Sequence, residues 1–128
     1  MHPFRKALDA QDMTAIEDLL ADDVVFTSPL VDEQSQGKAR VAAMIRVVLR
    51  VDKDARYVHE IVDSTGRDAA LIFETTAGGQ KLTGCDFVHL DDNGKVDNLM
   101  VMVRPLSAAP AWKDAFTAEF DRIRQQAN

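Results

Sequence analysis

The sequence predicts an α+β domain in which N-terminal helices lie against a curved antiparallel sheet and enclose a small, mainly apolar pocket. Two observations carry this. Apolar residues recur at helical spacing over the first fifty or so residues, with one strand-like run among them, and again after Pro110. Between these, residues 56–104 break into four strand-like stretches separated by turn residues. Strands grouped in one run with helices to either side are the pattern of an α+β fold. With 128 residues, 46% apolar and 28% charged, the whole chain 1–128 has the length and balance of one domain, its core over about 4–106.

The elements follow in order. Pro3 suits a first helical turn, and Phe4, Ala7 and Leu8 then recur at helical spacing. Asp12 is a candidate N-cap for a second short helix with Ile16, Leu19 and Leu20 on one face, although Thr14 and Glu17 have capping-box spacing. Val24–Ser28 reads as a strand stopped by Pro29, and Leu30–Gly37 as a polar loop at the mouth of a pocket. Val41, Ile45, Val48 and Leu49 mark a third helix over Lys38–Val51, its apolar face widened by Met44 and Val47. The strands are Arg56–Val62, Ala69–Thr76, Lys81–Leu90 and Val96–Arg104, punctuated by Ser64-Thr65-Gly66, Gly78-Gly79 and Asp92-Asn93-Gly94-Lys95. Pro110 opens a C-terminal helix to about residue 125, with Trp112, Phe116, Phe120 and Ile123 about one turn apart. Trp112 reads as core packing, in a helix that could either close the pocket or cover the other side of the sheet.

Asn-Gly between apolar stretches is a strong hairpin signal. A two-residue Asn93-Gly94 turn places Asp92 opposite Lys95, Leu90 opposite Asp97, Val88 opposite Leu99 and Asp86 opposite Val101. One face then carries Asp86, Val88, Leu90, Leu99, Val101 and Val103, so Asp86 is an isolated carboxyl on an apolar surface. It reads either as a functional acid in a pocket or as a carboxylate satisfied by backbone or an arginine. Arg104, alternating with Val103, is expected on the opposite face. That face carries Cys85, Phe87, His89, Met100 and Met102 and also needs cover, from the C-terminal helix or a second copy of the chain.

Composition excludes several classes. The net charge is −6 and the basic residues are scattered, which excludes the footprint of a nucleic-acid binder. No apolar run reaches the roughly 20 residues of a membrane span. Without a signal-peptide stretch, the location expected is cytoplasmic. Cys85 is the only cysteine, so no internal disulfide forms. His2, His59 and His89 lack metal-ligand spacing, no phosphate loop or dinucleotide fingerprint is present, and Ser28 lacks a nucleophile elbow. Neither a metal nor a cofactor is expected.

The ordered set Phe4…Ala7-Leu8…Asp12, Leu19-Leu20-Ala21-Asp22-Asp23-Val24, Phe26…Ser28-Pro29, Gly84-Cys85-Asp86-Phe87, Asp91–Val96 and Val103-Arg104-Pro105-Leu106 resembles the nuclear transport factor 2-like superfamily, in its SnoaL-like (polyketide cyclase) and ketosteroid isomerase-like branch. The resemblance implies a cone-shaped, cystatin-like α+β fold, often a homodimer through the outer sheet face, with a pocket between sheet and helices. It turns the Asp86 face inward, so that Phe4, Phe26, Ser28, Met44, Leu71, Phe73, Val88, Leu99, Val101 and Val103 are the expected lining. Steroid isomerases of this type use a first-helix tyrosine, a carboxylate base before a proline and a strand aspartic acid. The matching positions here are Phe4, Ser28 and Asp86, so one of the three is kept. Epoxide hydrolases of the fold have an Asp after the last-strand Arg, where this chain has Pro105. The cyclases have an acid late in that strand, and Met100–Arg104 supplies none.

The expected function is binding of a small apolar or amphipathic molecule. In one reading the protein is a cofactor-free isomerase, lyase or cyclase acting on a small apolar carbonyl compound. Asp86 is then the acid, and His59, read with Tyr57 on one side of its strand, a possible partner; alternation does not settle which face that is. The alternatives are a non-catalytic ligand-binding protein and a dimeric interaction domain.

Overall fold

The computed structural model describes residues 1–127. Two short helices, α1 (Pro3–Asp9) and α2 (Met13–Leu19), open the chain. His2 caps α1 by accepting the Phe4 N–H on Nδ1 at 3.1 Å, and Asp12 caps α2 by accepting from Ala15 N at 3.1 Å. Between them Gln11 stands at φ 52, while its N–H donates to Leu8 and that of Asp12 to Ala7. This bond pair ends a helix with a left-handed residue, normally glycine.

The sheet has six strands in the order β2-β1-β6-β5-β4-β3. They are β1 (Leu20–Thr27), β2 (Ser35–Gln36), β3 (Arg56–Val62), β4 (Asp68–Ala77), β5 (Gln80–Leu90) and β6 (Val96–Arg104). Helix α3 (Lys38–Val51) follows β2, and a short 3-10 turn (Leu106–Ala108) leads into α4 (Ala109–Ala127). Four antiparallel strands form the expected meander. The sheet is mixed rather than wholly antiparallel, because β1 runs parallel to β6. Strand β1 also starts earlier than Val24. Leu20 leaves the helix and pairs with Val96, the register shifting between Leu20 and Val25, so Leu20 packs as strand core rather than on a helix face.

Two hairpins show how turn chemistry sets register. Gly78 and Gly79, at φ 58 and 76, make a two-residue turn in which Ala77 faces Gln80, the geometry that matches the twist of the strands. The β5–β6 connection is longer than expected. Asp91 N–H donates to the Lys95 carbonyl and Gly94 N–H to that of Asp91, while Asp91 Oδ1 accepts from Asn93 N and Lys95 N. Leu90 therefore pairs with Val96, not Asp97. Asp97 is bulged out and restores the phase, so Val88 faces Leu99 and Asp86 faces Val101. One irregularity cancels the other.

All four helices lie on one side of the sheet. One core cluster joins Phe4, Ile16, Leu20, Val24 and Val41 to Leu71 and Leu99. A second joins Val47, Phe73 and Leu82 to Trp112 and Phe116 of α4. Tyr57 and Val101 pack against both. Helix α4 thus closes the open end of the inner side and leaves the outer sheet face bare, with Ile61 at 62%, Met102 at 54% and Phe87 at 42% exposure. No helix among the described residues is long and apolar enough to cross a membrane.

Candidate functional site

Where the two core clusters meet, a cavity of about 170 Å³ remains between sheet and helices. Its walls are mostly apolar, including Leu8, Met44, Phe73, Val101 and Trp112. Polar groups interrupt them, chiefly the carboxyls of Asp86 and Asp52 and the phenol of Tyr57, with Asp9 and Lys53 also on the wall.

Asp86 comes from the middle of β5, where the hairpin phase turns it inward, and it is 8% exposed. Tyr57 Oη donates to Asp86 Oδ2 at 2.5 Å. Burial pushes the Asp86 carboxyl up to about 7, against the lowering effect of the Tyr57 hydrogen bond, and the neighbouring Asp52 charge raises it further. The Tyr57 phenol is raised well above its ordinary value, by burial first and then by Asp86, so it stays protonated and keeps the proton it donates to Asp86. Among the described residues no arginine reaches Asp86, and Arg104 lies exposed on the opposite face.

Tyr57 is aimed inward by a bulge. It pairs with Phe73, whereas His59 pairs with Ile72, leaving Val58 as the extra residue. The bulge reverses the alternation of the strand. Tyr57 faces the cavity, and Glu60 faces α1, where it accepts from His2 N at 3.0 and 3.1 Å. His59 falls on the exposed outer face. The expected placement of His59 beside Tyr57 is therefore corrected: the two point to opposite sides.

Of the expected lining, Phe26, Ser28, Met44, Phe73 and Val101 border the cavity with Asp86. Phe4, Leu71, Val88 and Leu99 lie instead in the close-packed core, because they sit deeper in the cone where helices and sheet are already in contact. Val103 packs beside the second cluster. Ser28 Oγ accepts from Leu30 N at 3.0 Å, shaping the turn after β1.

Asp52, absent from the sequence-based site, caps the C-terminus of α3, where Trp112 Nε1 donates to Oδ1 at 3.0 Å. Burial pushes its carboxyl up to about 6, opposed by the Trp112 bond. In sequence it is the first acid of Asp52-Lys53-Asp54, which reads as a solvated helix end. Nothing local signals that α4 will fold over it. Among the described residues no group of three or more His, Cys, Asp or Glu is placed to hold a metal ion.

Helices on the inner side of a bent six-stranded sheet make this a cystatin-like, nuclear transport factor 2-like α+β fold. The chain belongs to the SnoaL-like domain family, whose model matches residues 2–98. A steroid delta-isomerase from Pseudomonas aeruginosa is similar in structure, with a TM-score of 0.89 and 27% identity, covering 95% of this chain and 89% of that one. An uncharacterised bacterial protein with a cystatin-like fold from Silicibacter pomeroyi DSS-3 is 30% identical at a TM-score of 0.83, over 93% and 86% of the two chains. An NTF2-like protein from Cytophaga hutchinsonii ATCC 33406, 22% identical at a TM-score of 0.59 over 80% and 85%, shares the fold. No curated protein matches the sequence.

Proposed function

We propose that this SnoaL-like domain binds a small apolar carbonyl compound and acts on it as a cofactor-free isomerase, lyase or cyclase, with Asp86 as the acid. The observation that carries this is a buried carboxyl clasped by a tyrosine on the wall of an apolar cavity. Tyr57 occupies Asp86 Oδ2, which leaves Oδ1 for the ligand. With its pKa pushed up to about 7, Asp86 is protonated in much of the neutral population and donates from Oδ1 to a carbonyl oxygen. As negative charge grows on that oxygen, the hydrogen bond strengthens in a site with little water to screen it. An acid kept neutral by apolar surroundings suits this donor role.

The cavity favours a ring-sized compound, since a protein cavity of about 150 Å³ holds benzene. The similarity to a steroid delta-isomerase supports proton transfer next to a carbonyl as the reaction class. The test is α-deuterium incorporation into one- and two-ring ketones in D2O, followed by NMR. The protein should accelerate exchange, and Asp86→Asn should reduce the acceleration by about 10²–10³-fold, the usual effect of losing one oxyanion donor. Ketone binding without accelerated exchange would overturn the enzymatic part and leave a ligand-binding protein. No binding at all would remove both.

A further inference from the structure

Proton transfer from carbon needs an acceptor as well as an oxyanion donor. The resemblance places that base at Ser28, a hydroxyl that accepts a backbone hydrogen bond in the turn after β1. We infer that Asp52, on the opposite wall, is the proton acceptor of this cavity. The inference rests on the enzymatic reading above and names the residue which that reading lacks.

The position of Asp52 is built. Its N–H donates to the Val48 carbonyl at 2.8 Å and its carbonyl accepts from Ala55 N at 2.8 Å, so its backbone is held at the end of α3. Trp112 Nε1 fixes the carboxyl through Oδ1, and the indole is itself set edge-on to Phe116, with ring centroids 4.6 Å apart. Among the described residues Oδ2 has no hydrogen-bond partner, yet it is not sealed off in the interior. Asp52 lines the cavity. A carboxylate here is also poorly placed for stability, being desolvated and at the negative end of a helix, where a lysine or arginine is the favourable residue. A group that the fold disfavours, but that the cavity can use, marks a functional position.

The chemistry balances with the groups present. Asp52 Oδ2 takes a proton from the carbon next to the carbonyl, the C–H electron pair moves into a C=C bond, and the carbonyl oxygen gains charge against Asp86. In a β,γ-unsaturated ketone the protonated Asp52 then returns its proton to the γ carbon, and the double bond moves into conjugation. No oxidant or reductant is needed. Burial raises both carboxyls, Asp52 to about 6 and Asp86 to about 7, and the Asp52 charge is itself among the causes that raise Asp86, which suits an ionised Asp52 facing a protonated Asp86. The other titratable groups on the wall are Tyr57, Asp9 and Lys53. As a coupled pair, Asp52 and Asp86 give two apparent pKa values. The kcat/KM profile rises as the pair loses its first proton and falls as it loses the second.

The experiment compares wild type with Asp52→Asn, Asp86→Asn and Trp112→Phe. It measures isomerisation of cyclohex-3-en-1-one, α-deuterium exchange of ring ketones, and binding of phenol as an oxyanion-site probe. Asp52→Asn keeps an acceptor for Trp112, so its thermal midpoint and near-ultraviolet circular dichroism serve as the fold control. It should lower isomerisation and exchange by about 10²–10⁴-fold while phenol still binds, whereas Asp86→Asn weakens both. Trp112→Phe removes a bond that favours ionised Asp52, so the acidic limb of the profile should move to higher pH. Wild-type activity that survives in Asp52→Asn overturns this inference and leaves the proposed function standing. Phenol binding with no wild-type turnover or exchange overturns the enzymatic reading, and the inference with it.

Discussion

Asp86 ties the stability of the protein to pH, with a sign opposite to that of a salt-bridged aspartate. Its carboxyl moves from an ordinary value of 3.8 to about 7 on folding, so over that interval the native state holds a proton that the unfolded chain has released. Its contribution to stability is then fully present below about pH 4, falls as pH rises through the interval and levels off above 7. The loss from Asp86 alone is on the order of 4 kcal/mol at most, and Asp52, raised to about 6, acts in the same direction. Asp86→Asn has no charge to bury and still accepts from Tyr57. Urea denaturation should find this variant more stable than wild type at pH 8, with the gap closing towards pH 4. A wild type that instead gains stability between pH 5 and 8, with the variant parallel to it, would show that Asp86 is ionised at little cost. The price of an acid on this wall is stability, which is why a residue there invites a functional explanation.

Among the elements, β4 and β5 set Gly84 opposite Phe73. A Cβ on Gly84 would stand 2.1 Å from Phe73 Cζ, with two further ring atoms within 2.8 Å. The glycine is therefore what lets the Phe73 ring lie across β5, edge-on to Tyr57 at a centroid distance of 6.0 Å. Gly84→Ala forces the ring towards the cavity and should destabilise the protein by about 1–3 kcal/mol, the usual cost of overpacking. It should also weaken binding of ring ketones or phenol. Calorimetry and a binding titration check the two effects, and an alanine variant with unchanged melting and binding would show that Phe73 has a second place to lie. The bulge at Val58 matters equally, because without it Tyr57 and Glu60 could not both face inward.

At the scale of the whole molecule, α4 covers the inner side and leaves the outer sheet face open. Phe87, Met102, Ile61 and Val62 are exposed on or beside that face, and His89 with its bulged partner Asp97, 2.6 Å apart, lies at its edge. An apolar face of this kind fits an interface between two copies of the chain. The protein should sediment as a homodimer at micromolar concentration, burying roughly 1,200 Å² or more in total. Met102→Lys should shift it to monomer without altering the cavity, which lies on the other side of the sheet. A monomeric wild type under these conditions would sink the dimer.

How much of this was legible in the sequence depended on range. The helix at Lys38–Val51, the meander and the grouping of Asp86 with Val88, Leu99 and Val101 on one face follow from local signals: apolar periodicity, glycine turns and strand alternation. Alternation needed only the Asn-Gly turn to give Val88 opposite Leu99 and Asp86 opposite Val101. That pairing held although the loop is one residue longer, because the bulge at Asp97 compensates. The β3 bulge leaves no comparable mark in Arg-Tyr-Val-His-Glu, so the sides taken by Tyr57 and His59 were decided by pairing with β4. Asp52 looks like any polar helix end until α4 returns from nearly sixty residues away to bury it and bond it through Trp112. Local chemistry determined which residues form which element and which side chains share a face of β5 and β6, and the packing of the helices made the Asp86 face the inner one. Long-range contacts decided the rest: pairing with β4 set the sides of Tyr57 and His59, and packing decided which carboxyl groups lose their water, since neighbouring residues in sequence do not encode desolvation by distant segments.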